Sequence, residues 1–424
     1  MEQRLARPIV MSNANVIATP VTAERIDWTI VVLTFLGLAY NAILAFINAH
    51  IFAVNVSMVV VFEISVLGAG LLVWWKRGIK TTDRNVLYFV GSFLIISLVI
   101  GMLNQRIYLD AFRNILIVGV YIGLGKSANV ATIKAAFLAC TLLVLGVLIL
   151  ELSDVSSYAA LLKPANYYIN TRGFKELSYD DSGIFKNALG FEGRFSYGIF
   201  TGPRTSSIFL EQVSLANYAA ALCILLLSLW PQIGIKVKLL HILTILLVVL
   251  SNNTRTTSIL LVLSVFGYYL YPRIPRYSNV LLAPIIIALG IFIYTLYPYA
   301  RGDDFIGRTS FTGYVLTHMG MPEYFGTSID NLKMLADNGY PYLIYSSTIF
   351  GMVLFWLFVS LVVPQITPAQ KRCANSLALY MFINLLVSGT ATFSIKVGAP
   401  LWLLVGFMAT AHIQLPGRAL KRRV

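Results

Sequence analysis

The segment FTGPRTSSIFLEQVSLANYAAALCILLLSLW, residues 200–230, passes from a polar loop with one arginine straight into an apolar wall. Arg204 stands about five residues ahead of that wall and Glu211 just inside it. Charge at the rim of a membrane segment costs free energy unless a partner or a ligand offsets it. The stretch therefore raises two questions: how often the chain crosses a bilayer, and what its rim charges face.

Composition answers the first in outline. The chain has 424 residues, of which 58% are hydrophobic and only 12% charged. A soluble chain carries about 25% charged residues, so this one is read as an all-α, polytopic membrane protein. Twelve apolar runs are long enough to be spans: 28–48, 51–75, 86–104, 111–125, 131–150, 209–230, 237–252, 256–271, 279–297, 341–363, 374–391 and 397–414. The predicted organisation is a cytoplasmic leader over 1–27, one membrane domain over 28–414 and a basic cytoplasmic tail over 415–424. No cleavable signal sequence is expected at the start. The three cysteines, Cys140, Cys223 and Cys373, lie in or beside apolar runs and read as packing residues.

Charge sets the orientation. With the N-terminus in the cytoplasm, the inner segments hold nineteen Lys and Arg against four acids, and the outer segments thirteen against thirteen. That asymmetry follows the positive-inside rule. It accounts for the net charge of +14 without a nucleic-acid partner. The inner connections are short, whereas two outer ones, about 151–208 and 298–340, are long. Long ordered connections are usually functional, which puts the working surface outside.

Three arginines stand at the outer rim: Arg204, Arg255 in the turn SNNTRTTS, and Arg308 in the second long loop. A guanidinium presents a planar fork of donors that matches phosphate oxygens. Together they predict a shared anion site at the depth of a lipid diphosphate; the competing reading is that each snorkels to the headgroups. The loops also supply Arg194, Arg301, His318, Asp337 and Tyr340, with aromatic residues that suit sugar rings or, alternatively, an interfacial belt. No HExxH, Walker A or GxSxG motif is present. The pairs Asp180–Asp181 and Asp303–Asp304 read as solvated carboxylates ahead of metal ligands, so no metal or cofactor is expected. Glu63, inside a run, is either paired internally or part of a lipid cavity.

GPRTSSIFLEQVSLANYAA (202–220), SNNTRTTSILLVLS (251–264) and YFGTSIDNLKMLADNGYPYLIYSSTIFGM (324–352) together resemble the motifs of Wzy-type bacterial polysaccharide polymerases, in the polymerase and O-antigen ligase superfamily. Exopolysaccharide polymerases of the xanthan kind look nearest. The twelve-run frame that agrees with this family covers most of the chain, and the motifs are short and degenerate. Gln212 departs from the pattern, standing where such polymerases often carry proline. The ligase branch carries a histidine in the second loop; here Asp337–Asn338 takes the comparable place and His318 lies earlier, which favours polymerase over ligase.

The resemblance implies a GT-C-like membrane fold in a bacterial inner membrane. It implies metal-independent, inverting transfer between two undecaprenyl-diphosphate-linked oligosaccharides on the periplasmic face. Membrane lipid and the chain-length-regulator and export proteins of the same pathway are the implied partners. On that view Arg204, Arg255 and Arg308 bind diphosphate. The general base is Asp337, Glu211 or His318, with Glu211 alternatively holding Arg204 in place, and Tyr340, Arg194 and Arg301 contact substrate. The competing functions are an O-antigen-type ligase and a twelve-span polysaccharide transporter or flippase.

Overall fold

A computed structural model describes residues 25–173, 183–184, 188, 195–300, 302, 304–335, 338–390 and 393–414. Arg194, Arg301 and Asp337, named above, fall outside the described residues, as do Asp180, Asp181 and Asp303.

Polar residues start the helices where apolar runs begin. Asp27 accepts a hydrogen bond from the Ile30 amide and opens α1, Trp28–His50. Asn55 caps α2, Val56–Lys76, in the same way. Then follow α3, Arg84–Leu103, and α4, Leu109–Ser127. Asn129 caps α5, Val130–Ser153. Each such side chain satisfies one backbone amide that the first helical turn leaves without a partner. Two short helices, α6 (Val155–Leu162) and α7 (Pro164–Arg172), occupy the first long loop.

The chain then forms α8 (Gln212–Leu229), α9 (Ile235–Asn252), α10 (Arg255–Leu270) and α11 (Leu282–Leu296). The second long loop holds α12 (Phe305–His318) and α13 (Met321–Tyr324). Last come α14 (Gly339–Leu361), kinked at Thr348, α15 (Pro368–Val387) and α16 (Ile395–Gln414). There is no β-strand among the described residues.

Eight of these helices are long and apolar enough to cross a membrane: α1, α2, α3, α5, α8, α9, α11 and α14, some with an adjoining turn. The chain is a multi-pass membrane protein. The other four expected spans overlap α4, α10, α15 and α16. Of these, α10 and the apolar part of α16 (Ile395–Ala411) are short. The other two carry charge, Asp110, Arg113 and Lys126 on α4 and Lys371 and Arg372 on α15.

Helices α4 and α16 pack along most of their length at the centre of the bundle. A Cβ on Gly125 would overlap the Leu403 carbonyl oxygen, and one on Gly406 that of Ile122. Only glycine lets the two backbones approach this closely, the usual device for joining helices where lipid supplies no hydrophobic drive. Against this pair lie α1, α2, α3, α5 and α8.

Side chains tie the two ends of the bundle. At one end Asp27 pairs with Arg77 (2.5 Å), and Asp83 with Lys126 (3.7 Å) while also accepting from Trp74. There too Lys134 donates to Gln232, Lys371 to Pro272 and Ile274, and Gln370 to Met408. At the other end meet the last turns of α5, α9 and α15 and the first turns of α8, α10, α14 and α16, with α6, α7 and α12 laid over them.

Candidate functional site

The stretch of loop between Thr201 and Glu211 is fixed from every side. The Glu151 carboxylate, at the last turn of α5, accepts from the Ser206 amide (3.0 Å) and the Ser207 amide (2.6 Å). Tyr158 donates to the Ser207 carbonyl (2.8 Å), and the Ser207 hydroxyl to Val144 (2.8 Å). Tyr168 and Lys396 both donate to the Phe209 carbonyl, at 3.4 and 3.3 Å. Ser207 and Leu210 nevertheless have φ of 48° and 59°. A bulky residue such as leucine rarely adopts that left-handed backbone, which costs about 1–3 kcal/mol per residue and persists only where the surroundings over-determine it. Here they do.

This loop is laced to the turn between α9 and α10. Thr205 bonds Ser251 through both backbone (3.4 Å) and hydroxyl (2.7 Å). Asn252 donates to the carbonyls of Thr205 (2.6 Å) and Gln212 (3.0 Å). Arg204 donates through Nε to the Asn252 carbonyl (2.6 Å). Asn253, with φ of 53°, turns the chain and accepts from the Tyr197 amide (3.0 Å). Arg255 is the next helical residue and stacks over Phe195, 4.7 Å from the ring centre. Arg204 and Arg255, far apart along the chain, are thus carried by one hydrogen-bonded knot.

Two helices start in this knot. Neither Glu211, ahead of α8, nor Thr254, ahead of α10, caps its own helix with its side chain. Helix N-termini concentrate partial positive charge and free amides. Two more polar groups are left over. The Gln212 amide nitrogen, on a residue only 4% exposed, and the Thr254 hydroxyl are buried with no hydrogen-bond partner among the described residues. Leaving such a group unsatisfied costs roughly 1–3 kcal/mol, a cost that a bound ligand removes.

Glu211 has other company than Arg204. Its carboxylate is held by Arg172 from α7 and by Lys396 from α16 (2.5 Å), with Ser214 donating at 3.1 Å. Burial opposes its charge, but Lys396 and Arg172 outweigh burial and hold the carboxyl down to about 2. So weak a base is disposed to organise cations rather than to take a proton. Lys396, 2% exposed, and Arg172 were not foreseen from the sequence. The signal was present: Lys396 directly precedes the apolar run at 397, and a lysine there needs a partner.

The remaining expected residues form a second group. Arg308, on α12, donates to the Val387 carbonyl (3.0 Å) at the end of α15. Thr312 joins the Asn338 side chain to Leu386. Tyr340 follows on α14, 1% exposed, its hydroxyl buried without a partner among the described residues. This group reaches the first through Asn384, which donates to Asn217 of α8 (2.7 Å). His318 is apart from both. It lies exposed at the far end of α12, ten residues or about 15 Å along the helix from Arg308, stacked on Tyr314 at 4.2 Å. Glu63 is paired internally, with Arg113 at 3.4 Å.

Among the described residues no group of three or more His, Cys, Asp or Glu could hold a metal ion. Asp304 caps α12 through the Gly307 amide (2.7 Å). No family model, curated protein or solved structure matches the chain.

Proposed function

We propose that the chain polymerises polyprenyl-diphosphate-linked oligosaccharide repeat units on the outer face of a bacterial inner membrane, and that it crosses that membrane twelve times. The observation that carries the reading is the knot of Arg204, Asn252 and Arg255. Two arginines, two uncapped helix starts and two buried polar groups without a partner among the described residues belong to this knot. That is an arrangement for a multiply charged oxyanion. The motif resemblance at 202–220, 251–264 and 324–352 points to the same residues.

In this mechanism the growing glycan leaves its diphosphate carrier for a hydroxyl of the incoming unit. Negative charge builds on the departing diphosphate, and Arg204 and Arg255 stabilise it. Preorganised donors act most strongly where charge develops in the transition state. The strained, over-determined loop keeps Arg204 in position, so little reorganisation is needed at that moment. Glu211 takes the positioning role, and Asp337 is the proposed base.

The twelve-span frame is supported by the two sets of end contacts, which alternate with each successive apolar helix. Reporter fusions at residues 80, 126, 236, 274 and 371 should read cytoplasmic, and fusions near 180, 255 and 320 extracytoplasmic. A cytoplasmic residue 255 would remove Arg255 from the site.

Function is tested with the purified chain in liposomes and lipid-linked single repeat units. A ladder of longer lipid-linked glycans is expected. Movement of unextended units across the bilayer would identify a flippase, and transfer only to a different lipid acceptor a ligase.

A further inference from the structure

Transfer between two lipid diphosphates needs two headgroup sites, and the Arg204 knot supplies one. Two further cations of the same end, Arg172 and Lys396, share the carboxylate of Glu211. Lys396 is sealed in, but the Arg172 side chain is 44% exposed, lying 4.5 Å over Tyr168. No second acceptor for its fork is found among the described residues. An exposed guanidinium backed by a buried ammonium draws a phosphate.

A groove of about 640 Å³ lies between α1 and α2. Leu33, Leu36, Val61 and Phe62 line its length, and Asn55 and Ser57 stand at the end where α2 begins. One asparagine links that mouth to α7. Asn48 accepts from the Val54 amide (2.9 Å), next to Asn55, and from Asn170 (2.8 Å), two residues before Arg172. Phe62, in the groove wall, stacks with Tyr40 of α1, and α7, which ends in Arg172, packs on both α1 and α2. The groove is thus an apolar trough ending beneath a cationic rim. A hydrocarbon chain with an anionic head has that polarity and that order.

We infer that Arg172, backed by Lys396, binds the headgroup of a second lipid diphosphate whose hydrocarbon chain lies in the α1–α2 groove. The inference rests on the proposed function and places the second carrier at Glu211, the other end of the 201–211 loop from Arg204.

The test counts lipids. The full chain is placed in phosphatidylcholine nanodiscs doped with undecaprenyl diphosphate, and native mass spectrometry reads the diphosphate lipids retained per chain. The unaltered chain should keep two. Arg172→Gln should weaken one site by about tenfold to a hundredfold, the loss of one charge-assisted contact, and leave one lipid. Ser65→Trp, which fills the groove from its exposed lining without touching any charge, should do the same. Arg204→Gln should remove the other lipid. Two lipids retained in both Arg172→Gln and Ser65→Trp would overturn the inference. An unaltered chain that keeps one lipid, lost only in Arg204→Gln, would overturn it while leaving the proposed function standing. An unaltered chain that keeps none would overturn both.

Discussion

The two ends of the bundle solve the same problem, how to hold charge at a membrane rim, in opposite ways. At the Asp27 end each carboxylate has one cation: Asp27 has Arg77, and Asp83 has Lys126. Of the other basic residues there, Lys371 and Arg372 donate to backbone carbonyls, and Arg84 and Lys238 lie over the rings of Tyr88 and Trp230. At the Glu211 end one carboxylate serves two cations, and the 201–211 loop holds two non-glycine residues, Ser207 and Leu210, at positive φ. Uncapped helix starts, buried polar atoms without a partner among the described residues and a residue at positive φ occur at the Asp27 end too, at α3, α9 and α11, at Gln232 and Ser360, and at Tyr277. What sets the Glu211 end apart is the shared carboxylate and the strain gathered in one loop. Proteins keep local rule-breaking where function requires it.

That contrast can be broken or sharpened by paired substitutions. The largest effect on stability is expected at the Asp27 end. Asp83→Ala removes the partner of buried Lys126 and the acceptor of Trp74, which should cost about 3–5 kcal/mol. Thermal unfolding in detergent measures it, and polymer made per folded molecule should stay near normal. A large loss of specific activity there would mean that the Asp27 end takes part in function.

Glu151→Gln comes next and sits at the other end. It sets an amide N–H or a neutral oxygen against the Ser206 and Ser207 amides that now meet a carboxylate. The cost should be roughly 1–3 kcal/mol, with activity falling further than stability because the loop carries Arg204. Parallel losses would make the loop a structural feature only. The smallest effect belongs to Asp330→Asn. Its ion pair with Arg106 (3.5 Å) is between side chains 89% and 65% exposed, and exposed pairs contribute at most about 1 kcal/mol. Both unfolding and polymer length should be unchanged.

Much of the scaffold could be read from the sequence because apolar runs are local signals. The run at 28–48 became Trp28–His50, and that at 131–150 Val130–Ser153. The contents of the long loops were not legible. Helices α6, α7 and α12 are short and mixed in polarity, so neither length nor periodicity announced them. At the site, Arg204 and Arg255 stood out because each sits at the edge of an apolar run. Lys396 pairs with Glu211 across 185 residues, and Glu151 reaches Ser206 across 55. Such contacts exist only once the helices pack, and no spacing rule within one sequence encodes them. His318 is the reverse case: its residue type suggested chemistry, and the structure places it at the far end of α12 from Arg308.

The central claim is that Arg204 faces a ligand and Arg77, at the opposite rim, faces only the protein. The direct measurement makes both Arg→Ala and Arg→Lys changes and reads polymer formation and unfolding together, at matched protein level. Arg204→Ala should lower the rate about a hundred- to thousand-fold, the loss of roughly 3–4 kcal/mol of transition-state stabilisation, while the protein stays folded. Arg204→Lys should recover only part of that, since an ammonium keeps the charge but not the fork. Arg77→Ala should leave the rate intact. Near-normal polymer from folded Arg204→Ala would contradict the account.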